Sequence, residues 1–163
     1  MTRKTPLAAA ERTPVGRLAE PGLHDIMGYQ LAQASVVTNE IFRRCVAQPE
    51  GMGKVEFTIL ALVQANPDVS ARQLAQALAV TPPNIAMWLD KLEQRGWVAR
   101  TRSTRDARVQ HVSLTAEGTD TVNRCVQALH VAEHDAMGTL SAAEQAMLVE
   151  LLHKLARARG RPG

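Results

Sequence analysis

No long hydrophobic run occurs in this 163-residue chain. The longest uninterrupted aliphatic stretch is Ile59 to Val63, against the ~20 apolar residues a membrane-spanning helix needs. The start of the chain also lacks the apolar core of a signal peptide, so the expected location is cytoplasmic. Cysteine is scarce: Cys45 and Cys125 stand 80 positions apart and neither belongs to a CxxC pair. That excludes a disulfide framework and offers no structural zinc or dithiol motif. Catalytic constellations are missing as well. No serine, histidine and acid set, no glycine-rich phosphate loop and no paired carboxylates in a fitting context occur. The chain is therefore expected not to be an enzyme and to need no cofactor.

What is present is unevenly distributed charge. The formal net charge is +3, yet residues 1 to 22 carry +2, residues 95 to 108 carry +4 from five arginines and one aspartate, and residues 154 to 163 carry +4. The rest, 23 to 94 and 109 to 153, is left at −7. This is an acidic body with concentrated basic patches. Such a distribution places attraction for phosphate on one short segment and on the tails, where a globally basic chain would bind polyanions indiscriminately.

The first 22 residues contain Pro6, Pro14, Pro21 and Gly22 with little apolar periodicity and read as a basic arm. From Leu23, apolar residues recur at three- and four-residue steps through Ile26, Met27, Leu31, Ala34, Val37, Ile41 and Phe42. That pattern predicts an amphipathic helix ending near Gln48, before Pro49. A second helix carries Val55, Ile59, Leu60, Leu62 and Val63 and stops at Asn66 and Pro67. A third begins after Ser70 and carries Leu74, Ala75 and Leu78. Thr81 can cap a fourth, with Pro82 at its first position, Ile85, Leu89 and Leu92 as its buried stripe, and Gly96 as its left-handed stop. Beyond Gly96 the period changes. Trp97 to Arg102 and Val109 to Leu114 are β-prone around a polar turn, which predicts a hairpin. Thr115 caps a helix running to about Leu140. Ser141 to Glu144 form a capping box for a last helix through Met147, Leu148, Leu151, Leu152 and Leu155.

Two short helices followed directly by an arginine-rich hairpin make a winged helix-turn-helix. The fold class is mostly α with a small β-hairpin wing, the winged unit being flanked by N- and C-terminal helices. The major groove admits one helix, and a hairpin beside it can lay arginines on phosphates or into the minor groove. With Ile85, Leu89 and Leu92 turned inward, the face left for double-stranded DNA holds Thr81, Pro83, Asn84, Met87 and Lys91. Asn84 suits an adenine edge, Thr81 and Lys91 suit phosphates, and Pro83 or Met87 suits a thymine methyl. Ser70 and Arg72 of the preceding helix, with Arg102, Arg105, Asp106 and Arg108 of the wing, complete the candidate DNA-binding set. Arg105 stands at the turn, the place for a minor-groove arginine. Asp106 is suited to fixing the turn, and Arg108 to a phosphate.

Residues 54 to 118 resemble the MarR family of bacterial transcription regulators. The segment Asp90-Lys91-Leu92-Glu93-Gln94-Arg95-Gly96-Trp97-Val98 resembles that family's recognition-helix end and first wing strand. Arg105-Asp106-Ala107-Arg108 holds its Asp-x-Arg wing signature, and Leu114-Thr115-Ala116-Glu117-Gly118 is similar to its LT-x-x-G exit. The resemblance implies a homodimer with an arm over 1-22, dimerisation helices over 23-50 and 116-159, and a DNA-binding unit over 54-115. It also implies a pseudo-palindromic operator, and repression released by a small aromatic, anionic effector. Candidate effector residues are His24, Tyr29, Arg43, Phe57, Trp88 and His111, because aromatics and a cation suit such a ligand. Ala86 and Met87 stand where the family commonly has polar side chains, so shape readout is expected to carry more of the specificity.

Two other patterns compete for a function. His130-Val131-Ala132-Glu133-His134 spells H-x-x-E-H, a zinc-peptidase pattern. A hydrolase would need a further ligand and a cleft. A zinc-responsive regulator could draw His24, Glu40, Cys45 or Glu50 from the first-helix region. Cys45 and Cys125 could make an oxidation sensor if a thiol pKa were depressed, while exposed histidines and buried inert thiols are the plainer reading.

Overall fold

The structure, a computed structural model, describes residues 12–102 and 110–160. It is mostly helical with one small antiparallel sheet. Helix α1 spans Met27–Phe42, a π-helical turn follows over Arg43–Ala47, and a short α2, Gln48–Glu50, finishes the rod. Then come α3 (Lys54–Ala65), β1 (Val69–Ser70), α4 (Ala71–Leu78), α5 (Pro82–Gln94), β2 (Val98–Arg102), β3 (Gln110–Leu114), α6 (Ala116–Ala136) and α7 (Ala142–Ala156). Among the described residues no helix is long and apolar enough to cross a membrane.

The chain divides into two compact units, Met1–Glu40 and Ile41–Gly163. In the first, the Thr13 amide donates to the Leu18 carbonyl and Arg12 pairs with Ala19, closing a turn. Glu20 is buried and accepts the Tyr29 hydroxyl at 2.5 Å. The end of the arm is thereby held against α1, a packing role its low apolar content had not suggested. Helix α1 begins at Met27, four residues later than the apolar pattern predicted, and leaves Met27, Leu31, Val36 and Val37 exposed.

In the second unit the rod does not stop before Pro49. The Gln48 amide reaches back five residues to the Arg43 carbonyl. This wider turn relieves the clash a proline ring makes with the carbonyl four residues earlier. The rod ends instead at Gly51, whose φ of +57° supplies the left-handed cap. Helices α3, α4 and α5 enclose a core of Ile59, Leu60, Val63, Leu74, Ile85, Leu89 and Leu92, closed by Trp97 of the turn after α5, Val98 and Val112 of the sheet and Val122 of α6. Each such aliphatic side chain contributes about 1.5–3 kcal/mol when fully buried. The Ile85, Leu89 and Leu92 stripe therefore fixes the rotation of α5 more firmly than surface ion pairs, worth about 0–1 kcal/mol each, could do.

Helices α4 and α5 end in the same way. After α5, the Gly96 amide bonds to Glu93 and the Trp97 amide to Leu92, with Gly96 at φ +72°. After α4, the Ala79 amide bonds to Gln76 and the Val80 amide to Ala75, with Ala79 at φ +54°. Both are Schellman caps, but the second is built on alanine, a residue that pays for the left-handed region. The hairpin pairs Val98 with Leu114 and Arg102 with Gln110, and β3 also pairs with the two-residue β1, Val69 opposite Val112. Sheet order is β1-β3-β2. The Thr115 hydroxyl caps α6 and donates to the Gly96 carbonyl at 2.6 Å. Helix α6 ends at Ala136, short of Leu140, and the Ser141 and Glu144 capping box opens α7 as expected. No residue of α7 is buried: Met147, Leu148, Leu151, Leu152 and Leu155 all remain exposed.

Candidate nucleic-acid interface

Helix α5 presents Thr81, Pro83, Asn84 and Met87 to solvent, with Met87 57% exposed. Their exposure follows from the buried stripe, which turns the remaining positions outward. The helix start is unusual. Pro82 and Pro83 have no amide hydrogen, and the Asn84 and Ile85 amides both donate to the Thr81 carbonyl. The first two positions of the helix thus offer no backbone donor to a phosphate, which leaves more of the anion contact at this helix end to side chains. The Thr81 hydroxyl makes no cap bond, contrary to the capping role expected of it. On α4, the Ser70 hydroxyl accepts the Gln73 amide and bonds the Gln73 side chain, while Arg72 is exposed.

The basic segment after α5 is not one patch. The Arg100 guanidinium donates to Asp90 at 2.6 Å and to Glu93, joining β2 to the last turns of α5. Hydrogen bonding from Arg100, opposed by some desolvation, holds the Glu93 carboxyl below its ordinary range. Arg95 donates to the Glu50 carbonyl at 2.6 Å and the Gly51 carbonyl at 3.0 Å, and its guanidinium lies 3.6 Å from the Trp97 ring centre. Both arginines serve the fold. Arg102 is exposed at the end of β2, while Arg105, Asp106 and Arg108 lie outside the described residues.

Lys91 departs from expectation most. Its ammonium sits 2.6 Å from Glu56, a buried carboxylate in the first turn of α3 that also accepts the Gly53 amide at 2.6 Å. Burial pushes the Glu56 carboxyl up, but Lys91 and the Gly53 amide outweigh it and hold the carboxyl below its usual range. Lys91 therefore already has an anionic partner inside the protein.

The candidate effector residues divide between the two units. His24 and Tyr29 belong to the first unit, where Tyr29 is bound to Glu20 and to Gln33 at 3.0 Å. In the second, Phe57 and Trp88 pack against the core, Phe57 meeting the Phe42 ring edge-on at 5.8 Å. The Nδ1 atom of His111 lies 2.5 Å from the Asp68 carbonyl, and Arg43 is exposed. An open concavity of about 810 Å³ lies elsewhere, lined by Arg44, Arg124, Ala128, Val131, Ala132 and Asp135 among others. Neither Phe57 nor Trp88 of the same unit lines it.

Among the described residues no group of three histidine, cysteine, aspartate or glutamate side chains could hold a metal ion, so His130 and His134 find no third ligand there. Burial, reinforced by Glu50 and opposed by Arg124, pushes the Cys125 thiol up, which is the wrong direction for a sensor thiolate. Cys45 is half-buried in the π-helical turn.

The sequence reading missed the framework residues Glu56, Asp90, Glu93, Arg95 and Arg100. Asp90 and Glu93 could have been found, since three-residue spacing puts them on one helical face just ahead of an arginine-rich strand.

Comparison with known proteins places these features in context. The MarR family model matches residues 54–109. An HTH-type transcriptional repressor of Mycobacterium tuberculosis is 30% identical over 129 residues, covering 79% of this chain and 92% of its own. Among solved structures, the transcriptional repressor CouR bound to a 23-mer DNA duplex superposes with a TM-score of 0.78 at 31% identity, over 85% of this chain and 98% of that one. The apo form of wild-type MarR from Escherichia coli shares the fold, with a TM-score of 0.66 at 23% identity over 79% of this chain and 96% of that one.

Proposed function

The chain belongs to the MarR family of transcription regulators, and from that premise we propose that it is a homodimeric, sequence-specific repressor acting on a pseudo-palindromic operator in the cytoplasm. The observation that carries this reading is α5 itself. Its core stripe is fully buried while Asn84, Met87, Pro83 and Thr81 stand exposed, and the hairpin that follows carries Arg102 exposed at the end of β2. Asn84 reads a base edge, Met87 and Pro83 make apolar contact, and Thr81, Ser70, Arg72 and Arg102 bind phosphates. Arg105 reaches the minor groove, with Asp106 and Arg108 supporting it. Residues 54-115 are thus the DNA-binding unit.

Residues 23-50 and 116-159 form the dimerisation region, which is supported by the apolar side chains α1 and α7 leave exposed. Two recognition helices would then meet half-sites about one helical turn apart. Selection of genomic fragments on the purified protein, followed by sequencing, tests this reading: enrichment of a two-fold-related motif is expected.

A small anionic effector with an apolar body releases the operator. The concavity bearing Arg44 and Arg124 over Ala128, Val131 and Ala132 has suitable chemistry for it. A screen of small aromatic acids for loss of operator binding tests that part, and release should be lost in Arg124→Ala if the anion sits there.

A further inference from the structure

We infer that Lys91 and Arg95 are positioning residues that lock the C-terminal end of α5 to the α2–α3 junction, residues 50–56, so that Lys91 supports operator readout without contacting phosphate. This rests on the DNA-binding reading above. The two cations stand one helical turn apart, Lys91 in the last turn of α5 and Arg95 at its C-cap, and hold the two ends of the short α2–α3 junction. Arg95 bonds the carbonyls of Glu50 and Gly51, where the α2 rod ends and carbonyls are left without helical partners. Lys91 bonds Glu56, a carboxylate in the first turn of α3 that already holds the Gly53 amide. Each cation thus complements the loop where its charge is favoured: Arg95 at a helix C-terminus, and Lys91 on the acid that stabilises a helix N-terminus.

The loop is itself tethered, since Arg124 of α6 bonds the Glu50 carboxylate at 3.2 Å. The buried stripe of α5 fixes its rotation, and these two grips fix how far its last turns stand from the body. A phosphate would have to compete with Glu56, which is 5% exposed and would be left charged and unpaired.

The test uses full-length dimer and two labelled duplexes: the site wild-type protein selects from genomic fragments, and a mixed-sequence duplex of the same length. Failure of wild-type protein to select a site would count against the DNA-binding reading itself, before any variant is compared. Given selection, Lys91→Met is expected to weaken the selected site roughly tenfold. The slope of log affinity against log salt and the mixed-sequence affinity should stay at wild-type values. Glu56→Gln should also weaken the site, the double variant should be no weaker than either single one, and Lys91→Arg should recover most of the loss.

A phosphate contact gives the opposite pattern and overturns the inference: a slope reduced by about 0.9, equal losses on both duplexes, and tighter binding by Glu56→Gln as the lysine is freed. Unchanged affinity of the folded fraction in Lys91→Met would overturn it too, leaving only a stabilising pair. Should Lys91→Met fail to fold, the neutral pair Glu56→Gln/Lys91→Met carries the same comparison, because it leaves no lone buried charge.

Discussion

At Gly118 a Cβ would fall 2.0 Å from the Trp97 carbonyl oxygen and 2.9 Å from its carbon. Backbone stands in the way, so no rotamer relieves the overlap. Gly118→Ala is expected to cost about 2–4 kcal/mol, or to prevent folding, read as a lower midpoint in urea unfolding. The sequence shows this glycine as the end of an LT-x-x-G pattern without showing why it is needed. The reason is the close approach of α6 to the start of β2, fixed by Thr115. Glu56 was harder to see, because its partner Lys91 comes from another helix and burial is not written in the local pattern. Its carboxyl titrates lower in the fold than in the unfolded chain. The stability it adds is therefore fully present above the ordinary glutamate value of about 4.3 and is lost as pH falls through the depressed one. Wild type should exceed Glu56→Gln by about 1–3 kcal/mol at neutral pH. The difference should hold down to about pH 5 and shrink below about pH 4, measured by thermal unfolding across a pH series.

At the scale of elements, the helix-turn-helix and both long strands were legible because burial period, prolines and glycines all agree there. The two-residue β1 was not, being too short for any alternation to register. The π-helical turn was not either, since proline is ordinarily a stop signal and tertiary packing overrode it. The +4 segment was read as one phosphate-binding patch, yet Arg95 and Arg100 are spent on the fold while Arg102 is exposed. The strand separates Arg100 from Arg102 by about 6–7 Å, carrying the latter away from the acids of α5. Paired substitutions should divide them. Arg100→Ala should lower stability by about 1 kcal/mol with the salt slope of operator binding unchanged. Arg102→Ala should leave stability within about 0.5 kcal/mol and lower the slope by about 0.9. Urea unfolding and a salt titration on the selected duplex check both.

At the scale of the whole molecule, the order of elements could be read from the chain, but the use of its terminal helices could not be read from periodicity alone. The structure sharpens the question by leaving Leu151 52% exposed and Leu155 49% exposed on a helix with no buried residue. Such a stripe is costly in water, and the proposed homodimer would cover it with a second copy of the chain. Leu151→Glu should convert the dimer to monomer in analytical ultracentrifugation. The winged unit should stay folded and specific DNA binding should be lost. The net charge of +3 matters less than its placement: a dimer would carry two wings and two sets of recognition side chains on one duplex. Footprinting the purified protein on its selected genomic site, with the stoichiometry measured alongside, tests dimeric operator binding most directly. One dimer protecting two related half-sites about one helical turn apart is predicted. Protection of a single unrepeated half-site by a monomer, or affinity no greater than for mixed-sequence DNA, would contradict the account.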